Sequence, residues 1–230
     1  MRRLGFALVL LLLTAACTQA ETGEFVQPRA VSEPLGGRTS ASFSLDSGAN
    51  TVSVRTADLG NKLYRAATPN SSGMVPRGAL SGDSANLRLV PSNEPGSGAA
   101  VDLKLTNKVA WNVRLAGGAT TETVDLRGIK LSGLRVTGGV GQLEIWLPRP
   151  TGQQTVEISG GASGVRLHLP AGTPTQVGAR AGAGTMTIDG VVDSGVGAGQ
   201  VFTPEDWNEN QNRYDVTLLA GVGWLTLDRI

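Results

Sequence analysis

Apolar and polar positions alternate with period two in short runs along this chain, and the runs come in pairs joined by a glycine pair. The clearest pair is Val156-Glu157-Ile158-Ser159-Gly160-Gly161 followed by Val165-Arg166-Leu167-His168-Leu169-Pro170. Upstream, Leu134-Arg135-Val136-Thr137-Gly138-Gly139 leads to Leu143-Glu144-Ile145-Trp146-Leu147-Pro148, and Val113-Arg114-Leu115-Ala116-Gly117-Gly118 leads to Val124-Asp125-Leu126. Further copies run from Val177 through Gly182 to Met186-Thr187-Ile188, and from Val216 through Gly221 to Leu225-Thr226-Leu227. Weaker ones run from Phe43 to Val54 and from Leu80-Ser81-Gly82 to Leu87-Arg88-Leu89. The period, about 22 residues, belongs to stacked-coil architectures.

Alternation with period two puts one set of side chains on one face of a half-buried strand, so each half of the phrase predicts a strand and not a helix. The glycine pair suits a corner that needs positive φ or close backbone approach. Pro148 and Pro170 end the second strand, because proline has no N–H to donate to a ladder. One such coil cannot bury its own apolar face, so equivalent strands of successive coils are expected to pair in parallel. About seven coils, at about 4.8 Å each, would stand some 34 Å tall. The fold expected is all-β, a single-domain parallel β-solenoid of stacked two-strand coils with Gly-Gly corners; the alternative is a β-sandwich of short strands joined by hairpins.

Two stretches break the period, near residues 57–79 and near 190–214, and are read as insertions. The second holds Phe202-Thr203-Pro204-Glu205-Asp206-Trp207, the start of the most polar and acidic segment of the chain. Insertions in repeat proteins map to loops, where function concentrates.

The first residues change the picture of address. Arg2 and Arg3 precede an apolar run from Leu4 to Leu13, then Thr14-Ala15-Ala16-Cys17, which reads as a secretory signal over 1–16. As a helix, Leu4 to Ala16 would span about 20 Å, short of the roughly 30 Å hydrocarbon core. Leu13 to Cys17 resembles a lipobox, with Thr14 where an aliphatic residue is preferred, and Cys17 is the one cysteine of the chain. Lipidation at Cys17 would anchor the protein to the membrane, while cleavage after Ala20 would discard it. Residues 17–39, with Pro28, Pro34, Gly36 and Gly37, are expected to form a flexible tether, and 40–230 the folded domain. The location expected is extracytoplasmic, lipid-anchored to the cell membrane.

A formal net charge of +1 argues against a nucleic-acid partner, which would require a basic field. Aligning the coils on Leu143, Val165 and Met186 pairs Glu144 with Arg166 and Arg135 with Glu157, opposite charges that help fix register. The same alignment places Trp146, His168 and Asp189 in one outward column, an aromatic plane, a titratable ring and a carboxylate that could hold a sugar ring. With Trp207 they form the candidate surface for a ligand or partner. His168 has no nucleophile or second histidine nearby in sequence for a triad or a metal site, so no metal, no cofactor and no enzyme activity are expected. Gly182-Ala183-Gly184 lacks the strand-to-helix context of a dinucleotide loop.

The run from Trp111 to Pro170, with Val124-Asp125-Leu126-Arg127-Gly128, Leu134 to Gly141 and Gly160-Gly161-Ala162, resembles the bacterial toast-rack family. So does the ending, Tyr214 to Leu218 and Gly221 to Leu227. That family is similar to LiaF-like cell-wall-active antibiotic response proteins and to adhesin-like β-solenoids. The resemblance implies a non-catalytic extracytoplasmic solenoid with no catalytic residues, serving envelope stress response or surface attachment. The function expected is therefore a non-enzymatic lipid-anchored envelope protein, an interaction, scaffold or stress-response module; the alternative is a cell-wall carbohydrate-binding or adhesion protein. The partners expected are the membrane through Cys17, and an envelope protein or cell-wall glycan.

Overall fold

The computed structural model describes residues 27–230, and within them the alternation has become strands. In chain order these are β1 (Ala30–Pro34), β2 (Ser40–Leu45), β3 (Ala49–Ala57), β4 (Lys62–Ala67), β5 (Met74–Ser81), β6 (Ser84–Pro91) and β7 (Ala100–Thr106). Then come β8 (Ala110–Leu115), β9 (Ala119–Asp125), β10 (Lys130–Val136), β11 (Val140–Trp146), β12 (Gln153–Ile158) and β13 (Ala162–Leu169). The last are β14 (Thr175–Ala179), β15 (Ala183–Ile188), β16 (Val191–Val196), β17 (Gln200–Phe202), β18 (Arg213–Leu218) and β19 (Val222–Arg229), with a 3-10 turn at Glu205–Trp207. Among these residues no helix is long and apolar enough to cross a membrane. Cys17 and the segment 1–16, read as a secretory signal, lie outside the described residues.

The fold is all-β, two mostly parallel sheets around one apolar core. The ten-stranded sheet runs β1-β4-β7-β3-β9-β11-β13-β19-β15-β16 and the nine-stranded sheet β17-β14-β18-β12-β10-β8-β2-β6-β5. Strands consecutive in sequence fall at matching places in the two sheets, making seven layers: β6/β7, β2/β3, β8/β9, β10/β11, β12/β13, β18/β19 and β14/β15. Between layers every pairing is parallel, and the antiparallel pairs lie only at the two ends, β1–β4–β7 and β5–β6 at one, β15–β16 and β14–β17 at the other.

Layer order departs from chain order at both ends. β6/β7 stacks outside β2/β3, and the last coil, β18/β19, slots between β12/β13 and β14/β15. The phrase read from Leu80 to Leu89 is not a coil: Leu80-Ser81 and Leu87 belong to an antiparallel hairpin turning at Gly82, and the partner of β6 in its layer is β7. The stretches read as loop insertions supply β4 and most of β5 at one end, β16 and β17 at the other. A stack of parallel strands leaves two open edges, and antiparallel strands laid along them satisfy backbone groups there. For the same reason the expected tether over 17–39 is shortened: Ala30–Pro34 is paired with β4 as β1, and Arg29 donates to the carbonyls of Pro69 and Ser72.

The core is made of aliphatic ladders. Leu103, Val54, Val124, Ile145, Leu167 and Leu227 follow one another in register across six strands of the larger sheet, all essentially buried. Facing them, Leu87, Leu45, Leu115, Val136, Ile158 and Leu218 do the same in the smaller sheet. Large aromatic side chains fill the ends of this space. The Trp111 indole donates to the Thr106 carbonyl at 2.8 Å, and the Tyr214 hydroxyl to that of Pro148 at 3.0 Å. Tyr64, edge-on to Phe43, is buried without a hydroxyl partner, and burial with the nearby Glu33 charge raises its pKa to about 12.

The glycine pairs at the inner corners provide close approach and not positive φ, which among the corners belongs to Gly182, at 85°. A Cβ on Gly117, Gly138 or Gly160 would sit 2.0, 2.2 or 1.9 Å from the carbonyl oxygen of Ser47, Gly117 or Gly138 in the layer beneath. Because the corners nest this closely, the ladder continues through them, with Thr137 N–H donating to Leu115 and Ser159 N–H to Val136.

Candidate functional site

Residues that alternate with the core ladders point outward from the larger sheet. In the middle of that face the parallel register sets Trp146 beside Asp125 on one side and His168 on the other, and His168 beside Asp228. Parallel pairing holds equivalent positions about 4.8 Å apart, which suits flat rings that stack. The Trp146 and His168 rings lie 4.6 Å apart between centroids at 17°. Arg127 sits over the other face of Trp146, its guanidinium carbon 5.9 Å from the ring centroid. Arg127 also grips Asp125 through two nitrogens, and that hydrogen-bonded guanidinium holds the Asp125 carboxyl below the usual aspartate range.

His168 is the hub. Its Nε2 lies 3.0 Å from Glu144 Oε1 and its Nδ1 2.5 Å from Asp228 Oδ1, and its side chain keeps only 12% of its exposure. A carboxylate accepts, so a ring nitrogen bonds either neighbour by donating its N–H. Glu144 also lies 3.9 Å from Arg166, whose guanidinium sits 5.8 Å over Trp224 two strands from Trp146. Trp224 itself covers Gly164, where a Cβ would come within 2.2 Å of the indole. The result is one surface with two indoles, two guanidinium groups and three carboxylates around a bridging imidazole. It presents the edges of stacked rings, with charges of both signs around them.

The register expected for Glu144 with Arg166 and for Arg135 with Glu157 is present, the second pair at 3.1 Å. Asp189 is not the neighbour of His168. The interposed β19 supplies Asp228 there, and Asp189 lies one strand farther out, held by Arg229 through two bonds of 2.8 and 2.9 Å. Trp207 belongs to neither column. It is 9% exposed on the 3-10 turn beside the smaller sheet, with the Arg213 guanidinium 4.4 Å above its ring and a further Arg213 hydrogen bond to its carbonyl. Arg127, Trp224 and Asp228 were missed in sequence. Asp228 was legible only with the correct layer order, whereas Trp224 stands two positions before Thr226 and so on the outward side. Among the described residues no group of three or more His, Cys, Asp or Glu is placed to hold a metal ion.

Fold and surface together define a class: a two-sheet, mostly parallel all-β protein built by stacking short strand pairs, with chemistry displayed on one broad face. Residues 78–189 match the family model for the N-terminal domain of toast_rack, DUF2154, the family that the repeat resembles. Among solved structures it is similar to one described as a putative cell adhesion protein from Clostridium sporogenes, at 17% identity and a TM-score of 0.64, covering 89% of this chain and 100% of that one. At that identity the likeness speaks for the fold alone. No curated protein matches the sequence.

Proposed function

We propose that this chain is a non-enzymatic interaction module of the cell envelope, a flattened β-solenoid whose two sheets are the walls of stacked coils, tethered outside the cytoplasm by lipid on Cys17. The observation that carries the reading is the outward face built on the Trp146–His168 stack, where rings and charges of both signs are held by rigid strands. Aromatic rings and arginine at the centre of a patch are the groups that dominate protein recognition. The similar Clostridium structure is described as that of a cell adhesion protein, and such a role suits a module presented above a membrane.

The test uses the full chain on membranes. Capture of envelope material by the wild type should fall at least about tenfold in the Trp146→Ala, Trp224→Ala double variant with its circular dichroism unchanged, as expected for loss of central aromatic anchors. Equal capture by both would overturn the assignment of this face. Cys17→Ser should move the protein to the soluble fraction; retention on the membrane would remove the lipid anchor. A second reading, binding of cell-wall glycan, is favoured by the half-buried Trp146 and Trp224 indoles set among the polar groups of Asp125, Glu144, Arg127 and Arg166 on one face. Soluble wall-glycan fragments should then compete for capture, and no competition would leave a protein partner.

A further inference from the structure

The two ends of the stack are finished differently. At the β1/β5 end Leu63, Tyr64, Ala66 and Val75 are fully buried, and Gly78 leaves room for the Tyr64 hydroxyl against Val31. At the opposite end Val191, Val192 and Val201 are 66%, 62% and 43% exposed. There β16 is the last strand of the larger sheet, so its outer N–H and C=O groups have no strand beside them. Between β16 and β17 opens a groove of about 290 Å³, lined on one side by Ile188, Val191 and Asp193 and on the other by Phe202 and Pro204.

Asp193 decides what this edge accepts. It pairs with Met186, which is fully buried, and opposite residues in an antiparallel pair share a face, so Asp193 points to the core side and into the groove. None of the ion pairs among the described residues includes it. A neighbouring depression of about 260 Å³ extends from the same Asp189, Pro204 and Arg229 to Asp206, and Glu205 and Glu209 are exposed on this segment. Arg229, the cation at the rim, is already bound to Asp189. An inward-pointing charge on an edge strand opposes self-pairing: two copies joined edge to edge about a two-fold axis would bring two Asp193 carboxylates to the same side.

From these features we infer that β16 is a docking edge for an extended basic segment of a partner protein, which adds as a further strand, sets a Lys or Arg against Asp193 and places an aliphatic side chain between Val191 and Phe202. Strand addition takes affinity from the backbone edge and specificity from alternate side chains, and only the groove-facing ones are selected here. The surface is separate from the tryptophan face, and neither assignment depends on the other.

The experiment selects phage-displayed decapeptides, alternating Val, Ile or Thr with randomised positions, on the immobilised full chain. Lys and Arg should be enriched about tenfold over Asp and Glu at one groove-facing position, because like charges across an interface are strongly disfavoured. Asp193→Lys should invert that preference and Asp193→Asn should abolish it, each variant keeping the wild-type circular dichroism. No enrichment, enrichment without charge preference, or a preference that survives Asp193→Asn overturns the inference. So does a concentration-dependent dimer of the wild type that Asp193→Lys disrupts, since the edge would then belong to a second copy.

Discussion

Glu122 pairs in parallel register with Leu143, in a core-facing column that otherwise reads Val101, Val52, Leu143, Val165, Leu225 and Met186. The carboxylate is thus inserted where every other layer carries an aliphatic side chain. It is 1% exposed, and neither oxygen has a hydrogen-bond partner. Burial disfavours the charged form and raises its pKa from 4.5 to about 7.

The pH dependence of stability follows with a definite sign. The folded chain keeps the Glu122 proton up to about pH 7, whereas the unfolded chain releases it near 4.5. Between these values the native state binds more protons, so stability falls as pH rises, and the full penalty is present above pH 7. The interval corresponds to about 3 kcal/mol. Urea denaturation at pH 5 and pH 8 should show wild type losing stability relative to Glu122→Leu by this order. Parallel profiles for the two proteins would refute the assignment.

What the sequence made legible was whatever depends on one strand at a time. Period two located most of the strands and the faces of Glu144, Arg166, Arg135 and Glu157; the inward position of Glu122, two residues before Val124, was open to the same count but went unread. Layer order was not legible, because Val216-Thr217-Leu218 and Val177-Gly178-Ala179 carry the same pattern and either could follow β12. Only long-range pairing decides between them, and with it whether Asp189 or Asp228 meets His168. The antiparallel strands at the ends were hidden for a related reason: β16, with Val191 and Val192 exposed on a free edge and Val196 its one buried residue, has too little buried face to impose alternation.

Corner glycines should differ in their tolerance of a methyl group. In Gly160→Ala the new Cβ would meet the Gly138 carbonyl, a backbone group that cannot turn aside. The layers must part, at a cost of about 3 kcal/mol by analogy with overpacked cores. At Gly221 no atom lies within 4 Å of the added carbon, and Ala is expected to be almost neutral. Thermal unfolding of the two variants measures the contrast, and similar melting temperatures would show that the corners do not rely on close approach.

Trp207 should act on stability more than on binding. Its ring is shielded by Arg213, which also accepts no freedom to move, being tied to Gln153 at 2.9 Å and to the Trp207 carbonyl. Trp207→Ala removes this packing and the cation–π contact, and a loss of about 2 kcal/mol is expected for a buried ring at the edge of a core. Chemical denaturation reads it directly. Unchanged stability with weakened capture of envelope material would instead make Trp207 a contact residue.

The inserted last coil predicts which part of the molecule depends on the C-terminus. β18 and β19 contribute Tyr214, Val216, Leu218, Leu225 and Leu227 to the core and hydrogen-bond to strands on both sides. A chain ending at Asn212 lacks the layer against which β14 and β15 rest. Hydrogen exchange should then lose protection across 175–202 while the ladders of β2, β8 and β10, which have no contact with the deleted strands, remain slow. Retained protection across 175–202 would mean that β14/β15 has moved down onto β12/β13. In that case the observed layer order would be set by the arrival of the last coil and not by any preference of the sixth for the end of the stack.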